Sequence, residues 1–156
     1  MSQVDSRTII NVFFIIVTII IGVYVIFLFS NIETEVNNTH VSQKECVIRK
    51  INQIETSSDF DQLLINLIDF TKKIEVNKIT YEYTPLYFDV DYTYNVSGSN
   101  NLKIYPFGIK SKSSKNGVST LVKNNCIMEC NNLPANYDIK ICVDLCENIS
   151  KNIRGC

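Results

Sequence analysis

The chain has 156 residues, a net charge of −1 and 46% hydrophobic residues, with acids and bases interspersed along it. It has no basic face or tail to hold a polyanion, which excludes nucleic acid as a partner class. The length admits one modest domain, and no Gly-rich phosphate loop or metal-ligand cluster points to a cofactor or small-molecule substrate.

The first element is an apolar run from Thr8 to Phe29 that no charge interrupts. Ile9 to Phe29 as a helix spans roughly 31 Å, the thickness of a bilayer's hydrocarbon core. A cleaved signal peptide has a shorter apolar region and a small-residue cleavage site, whereas this run ends on bulky Leu28 and Phe29. The reading is a retained signal anchor over residues 8–30. Arg7 and the terminal amine, offset in part by Asp5, precede the run, and Glu33 and Glu35 follow it. That charge bias predicts residues 1–7 as a cytoplasmic tail and the rest as external or lumenal. Sequons for N-glycosylation occur beyond the anchor at Asn37, Asn95 and Asn148, of which Asn148 falls in an expected helix and is the weakest.

Residues 31–45 read as a polar stalk, with Asn31–Ser42 equally readable as the start of a helix continuing from the anchor, and 46–156 as an external α+β domain. Val47, Ile48, Ile51 and Ile54 recur at helical spacing. A second helix starts at Ser58, the expected N-cap, with Asp59 and Asp61 in its first turn. Its stripe is Phe60, Leu63, Leu64, Leu67, Ile68 and Thr71, a core-facing pattern. From Asn77 the period falls to two: Ile79, Tyr81 and Tyr83, then Phe88, Val90, Tyr92 and Tyr94, with Pro85 as the break. Val96–Asn101 reads as a turn, Leu102–Ile109 as a third strand and Lys110–Gly117 as an exposed loop. Val118–Val122 is a fourth strand or the lead-in to a helix. These segments predict a small antiparallel sheet with helices on one face. Tyr81, Tyr83, Tyr92 and Tyr94 suit either the inner face of such a sheet or a partner surface, because a tyrosine ring buries while its hydroxyl stays wet.

All six cysteines follow the anchor: Cys46, Cys126, Cys130, Cys142, Cys146 and Cys156. An even count on one side of a membrane segment predicts disulfides. Cys126-x3-Cys130 and Cys142-x3-Cys146 each place two thiols on one helix face, suited to bonding an antiparallel partner helix. A hairpin through the connector at Pro134 favours Cys130 with Cys142 and Cys126 with Cys146, leaving Cys46 for Cys156; other connectivities remain open. A stripe of Cys142, Leu145, Cys146, Ile149 and Ile153 behind an N-cap at Asp138 supports the second helix. The twin C-x3-C spacing from Cys126 to Cys146 resembles the helical-hairpin chaperones of the mitochondrial intermembrane space, a likeness of hairpin geometry alone. It is less typical of zinc than C-x2-C pairs, and no C-x-x-C redox motif is present.

His40 is the sole histidine, so a Ser or Cys nucleophile would have to use it as its base, and nothing nearby suggests such a partnership. Asp89 and Asp91 share a strand face near Glu82, which the solvated side of a sheet accounts for. The expectation is that the protein is not an enzyme. Anchor, size, cysteine use and AT-rich residue bias together resemble the N-anchored envelope proteins of large DNA viruses, such as poxvirus entry-fusion subunits and baculovirus oral infectivity factors. The resemblance implies a single-pass virion-membrane protein that meets other membrane or envelope proteins during attachment or fusion. The competing reading is a secreted disulfide-rich effector or inhibitor released by signal cleavage.

Overall fold

The computed structural model describes residues 6–106, 108, 110–113 and 115–156. Asp5 of the tail, the strand end at Ile109 and Ser114 of the expected loop lie outside the described residues. The elements are α1 (Ser6–Asn52), α2 (Ser58–Lys73), β1 (Val76–Tyr83), β2 (Phe88–Tyr94), β3 (Ser99–Ile104), β4 (Lys110–Ser113), α3 (Gly117–Asn131) and α4 (Ile139–Ile153). The fold is α+β with one antiparallel sheet in the order β1-β2-β3-β4. The chain divides into two compact units, Met1–Glu35 and Val36–Cys156.

The first unit carries the apolar part of α1. Side chains all round this helix are exposed, with Phe14 at 64%, Ile20 at 62% and Ile26 at 71%. Thr18 Oγ1 donates to the Phe14 carbonyl at 2.8 Å, so its hydroxyl is satisfied within the helix. The segment is long and apolar enough to cross a membrane.

The second unit begins at Val36 and not at Cys46, which revises the expected stalk. Residues 31–45 are helical throughout, and Thr39, His40 and Gln43 are buried. Polar composition marked this stretch as solvated, but Gln43 is hydrogen-bonded to Tyr94 and Asn100 of the sheet and His40 to the Ile74 carbonyl.

The stripe of α2 is core as its spacing predicts: Leu63, Leu64, Leu67 and Thr71 are buried. Burying one such leucine contributes about 1.5–3 kcal/mol. The N-cap is Ser57, one residue earlier than expected, and its side chain makes no capping bond. Instead Thr56 Oγ1 donates to Asp61 Oδ1 at 2.6 Å across the first turn.

In the sheet, Phe88, Val90, Tyr92 and Tyr94 of β2 are buried, and they pair with Ile104, Leu102 and Asn100 of β3 on the same side. The β1–β2 turn closes as Thr84 N and Oγ1 donate to the Tyr87 carbonyl at 2.9 and 2.7 Å around Pro85. Two expectations change further along. Strand β3 starts at Ser99, inside the expected turn, and the first half of the expected loop is β4, pairing Lys110 with Ile104 and Lys112 with Leu102. Backbone pairing from β3 forms β4, whose Lys-Ser-Lys-Ser side chains carry no strand signal. Val118–Val122 lies within α3, with Val118, Leu121 and Val122 buried. Gly117 is needed at the start of α3 because a Cβ there would lie 2.6 Å from Tyr94 Cε2 and would also strike the Ser99 carbonyl oxygen.

Helices α3 and α4 form the expected hairpin, joined by residues 132–138. Asp138 caps α4, accepting from Lys140 N at 2.9 Å and Ile141 N at 3.4 Å. Cys126–Cys146 and Cys130–Cys142 staple the helices, and Cys46–Cys156 closes the long loop back to α1. Lys123 Nζ meets Glu147 Oε1 at 2.6 Å on the same hairpin and holds that carboxyl below its ordinary range.

Candidate functional site

The tyrosines divide by strand. Tyr92 and Tyr94 are 0% and 1% exposed, so they are core residues and not a contact surface. The alternation in β2 is correct, but this strand lies in the sheet's interior beneath the helices. Tyr81 and Tyr83 share the same sheet side, opposite Val90 and Phe88, yet are 39% and 67% exposed because β1 is an outer strand. The Tyr83 ring packs edge-on against Phe88 at 5.3 Å between centroids. Leu86, in the turn beyond, is also exposed. Of the four tyrosines, only the two of β1 are therefore exposed.

The buried tyrosines form a polar network that the periodicity did not reveal. Tyr94 OH donates to Gln43 Oε1 at 2.8 Å, and Asn100 Nδ2 donates to the Tyr92 hydroxyl at 2.6 Å and to Gln43 Oε1 at 3.3 Å. Gln43 Nε2 in turn donates to the Cys156 carbonyl at 3.3 Å. Burial raises the pKa of both phenols, and the Tyr92 neighbour adds to the rise at Tyr94. They are neutral hydrogen-bonding groups, and their chemistry is structural. Nothing in the sequence marks Gln43 or Asn100, because a single buried amide has no period.

His40 is likewise buried. Its Nε2 lies 3.2 Å from the Ile74 carbonyl oxygen, its ring faces Tyr94 at 5.1 Å, and its Nδ1 has no partner. Burial lowers its pKa, Lys44 pushes in the same direction, and the Ile74 hydrogen bond opposes both. The residue links α1 to the segment that leads into β1, so the structure places it in the domain and not in a membrane-side stalk.

Beside the network lies a cleft of about 560 Å³, lined by Gln43, Glu45 and Arg49 of α1, Asn101 of β3, Lys112 of β4 and the Cys46–Cys156 bridge. It mixes cations and an acid and contains no histidine; the six cysteines are all bridged. Asp89 and Asp91 project from the other side of the sheet, where Asn101 Nδ2 donates to both at 2.6 and 3.1 Å. That amide occupies the space between the two carboxylates. The Cys126, Cys130 and Cys146 sulfurs lie within 4.8 Å of one another, but each is bonded in a disulfide and offers no thiolate to a metal.

The sequon residues are all exposed. Asn37 lies on α1, Asn95 in the tight β2–β3 turn and Asn148 on α4. Neither the families of known proteins, nor curated proteins, nor solved structures yield a match to this chain.

Proposed function

We propose that this is a single-pass membrane protein whose disulfide-bonded α+β domain stands on the external or lumenal side and acts through protein–protein contact. The observation that carries the reading is α1. Its apolar window lies wholly exposed, and the same helix continues unbroken to Asn52, well beyond the end of the apolar run. A helix that is apolar on every side needs a nonpolar surround. Three disulfides support an oxidising compartment for the domain. The N-terminus then faces the cytoplasm. Exposed aromatic residues on β1 supply contact area of the kind that interfaces favour.

Within this reading, the resemblance in layout to envelope subunits of large DNA viruses makes a virion-membrane role in attachment or fusion the specific proposal. Its partners are other membrane or envelope proteins. Alkaline extraction of membranes, followed by external protease on intact vesicles, tests the anchor and its orientation. The chain should resist extraction, and its domain should be digested only from the outer or lumenal side. A soluble product whose mature N-terminus starts near Asn31 would replace this reading with the secreted effector.

A further inference from the structure

The two outer strands of the sheet differ in how they are finished. Strand β4 is four residues long and carries Lys110 and Lys112, the short, cationic form that discourages pairing. Strand β1 is eight residues long, contains no proline, and has no strand on its outer side among the described residues.

The register fixes which way its side chains point. Ile79 pairs with Tyr92 and Tyr81 with Val90, so both lie on the core side. Lys78, Thr80 and Glu82 occupy the other side, opposite Thr93, Asp91 and Asp89, and all three are exposed. Glu82 thus faces another acid across the strand pair, an arrangement that is destabilising without a cation. Neither Glu82 nor Lys78 is drawn into an ion pair among the described residues.

A second copy of β1 running antiparallel supplies what is missing. A two-fold axis through the sheet preserves its faces, so partners must share a side, and the register must be centred on a residue. Centring on Ile79 puts Lys78 against Thr80, and centring on Tyr81 puts Glu82 against Thr80. Centring on Thr80 puts Lys78 against Glu82 of the second copy, and symmetry repeats the pair. On the core side the same register sets Ile79 against Tyr81, an aromatic–β-branched contact of the stabilising type. The outer-face row then runs Lys78, Glu82, Asp89, Lys103, with a cation at each end of the two acids. We propose that two copies of this chain join edge to edge through β1, antiparallel about Thr80, to make one continuous eight-stranded sheet. Main-chain hydrogen bonds provide the affinity and the two charge pairs fix the register. This deepens the interaction-domain reading by naming a partner, and it is independent of the membrane assignment.

The test uses the full chain in detergent. Residues opposite one another in an antiparallel pair have Cα atoms about 4.5–5.5 Å apart, within disulfide range. With copper phenanthroline as oxidant, Thr80→Cys should cross-link to itself, while Lys78→Cys should do so only when mixed with Glu82→Cys. Self-linking of Lys78→Cys as readily as Thr80→Cys, or no linking at all, would overturn the register. Sedimentation supplies the second arm. Lys78→Glu and Glu82→Lys should each weaken the dimer on the order of tenfold, because two symmetry-related pairs become repulsive together. An equimolar mixture of the two variants should restore it, which also shows that both are folded. Dimers of unchanged strength in the single variants would refute edge pairing, whatever the extraction experiment reports about the anchor.

Discussion

The Gln43 network gives a prediction whose sign reverses with background. In the native chain, Tyr94→Phe removes the 2.8 Å hydrogen bond to Gln43 Oε1, which still accepts from Asn100 at 3.3 Å. The cost should be about 1 kcal/mol, the net worth of one such bond. Gln43→Met keeps the side-chain length but leaves the Tyr94 hydroxyl, in a residue 1% exposed, without its acceptor. It also removes one of the two acceptors of Asn100 Nδ2 and the bond to the Cys156 carbonyl. Stranding a buried donor costs about 1–3 kcal/mol, more than the bond itself contributes. In the Gln43→Met background, Tyr94→Phe deletes the stranded hydroxyl, so it should regain about 1 kcal/mol instead of losing it. The coupling between the two sites is then about 2 kcal/mol, within the range for residues that share a network. Urea unfolding of the four variants, followed by the near-ultraviolet dichroism of the tyrosines, measures the cycle. If Tyr94→Phe costs the same in both backgrounds, the network is not acting as a unit and the reasoning is wrong.

Other predictions address single features. The depressed pKa of His40 means that the unfolded chain takes up a proton first, near the ordinary value of 6.5, while the folded chain resists. Stability should be full above that pH, decline as pH falls below it, and level off once the folded state also protonates; thermal melts across this window should lose their slope in His40→Gln, and an unchanged slope would assign the effect elsewhere. Asp138→Ala removes both capping bonds of α4 and should cost about 1 kcal/mol, with Asp138→Asn largely restoring it in the same melts. Gly117→Ala forces a methyl group against Tyr94 and the Ser99 carbonyl and should cost about 1–3 kcal/mol. A neutral result would mean that α3 can shift away from β3.

What was legible in the sequence followed from periodicity. Leu63, Leu64 and Leu67 repeat with a helix's period, and Cys126, Cys130, Cys142 and Cys146 each have one neighbour a helical turn away, so the buried stripe and the stapled hairpin could both be inferred. Alternation likewise placed Tyr81 and Tyr92 on one side of a sheet. It could not say that β2 lies inside the sheet and β1 at its edge, because burial depends on neighbours that local pattern does not encode. Strand β4 was unreadable for the opposite reason: its lysines and serines carry no preference, and the partner strand imposes the conformation. The same limit concealed Gln43, His40 and Asn100. Each is a buried polar residue made tolerable by a group far off in the chain.

The Cys46–Cys156 bridge has a consequence for processing. It spans 110 positions in sequence, and the sheet, α2 and the α3–α4 hairpin all lie between its two ends. A protease that cuts once anywhere in that interval, for example after exposed Lys112 or Lys115, generates two polypeptides but releases neither. Both remain covalently joined to the helix that contains Cys46. A single cut between Cys46 and Cys156 therefore frees no fragment for as long as the bridge is oxidised, and a molecule nicked there will migrate as intact until a reductant is added.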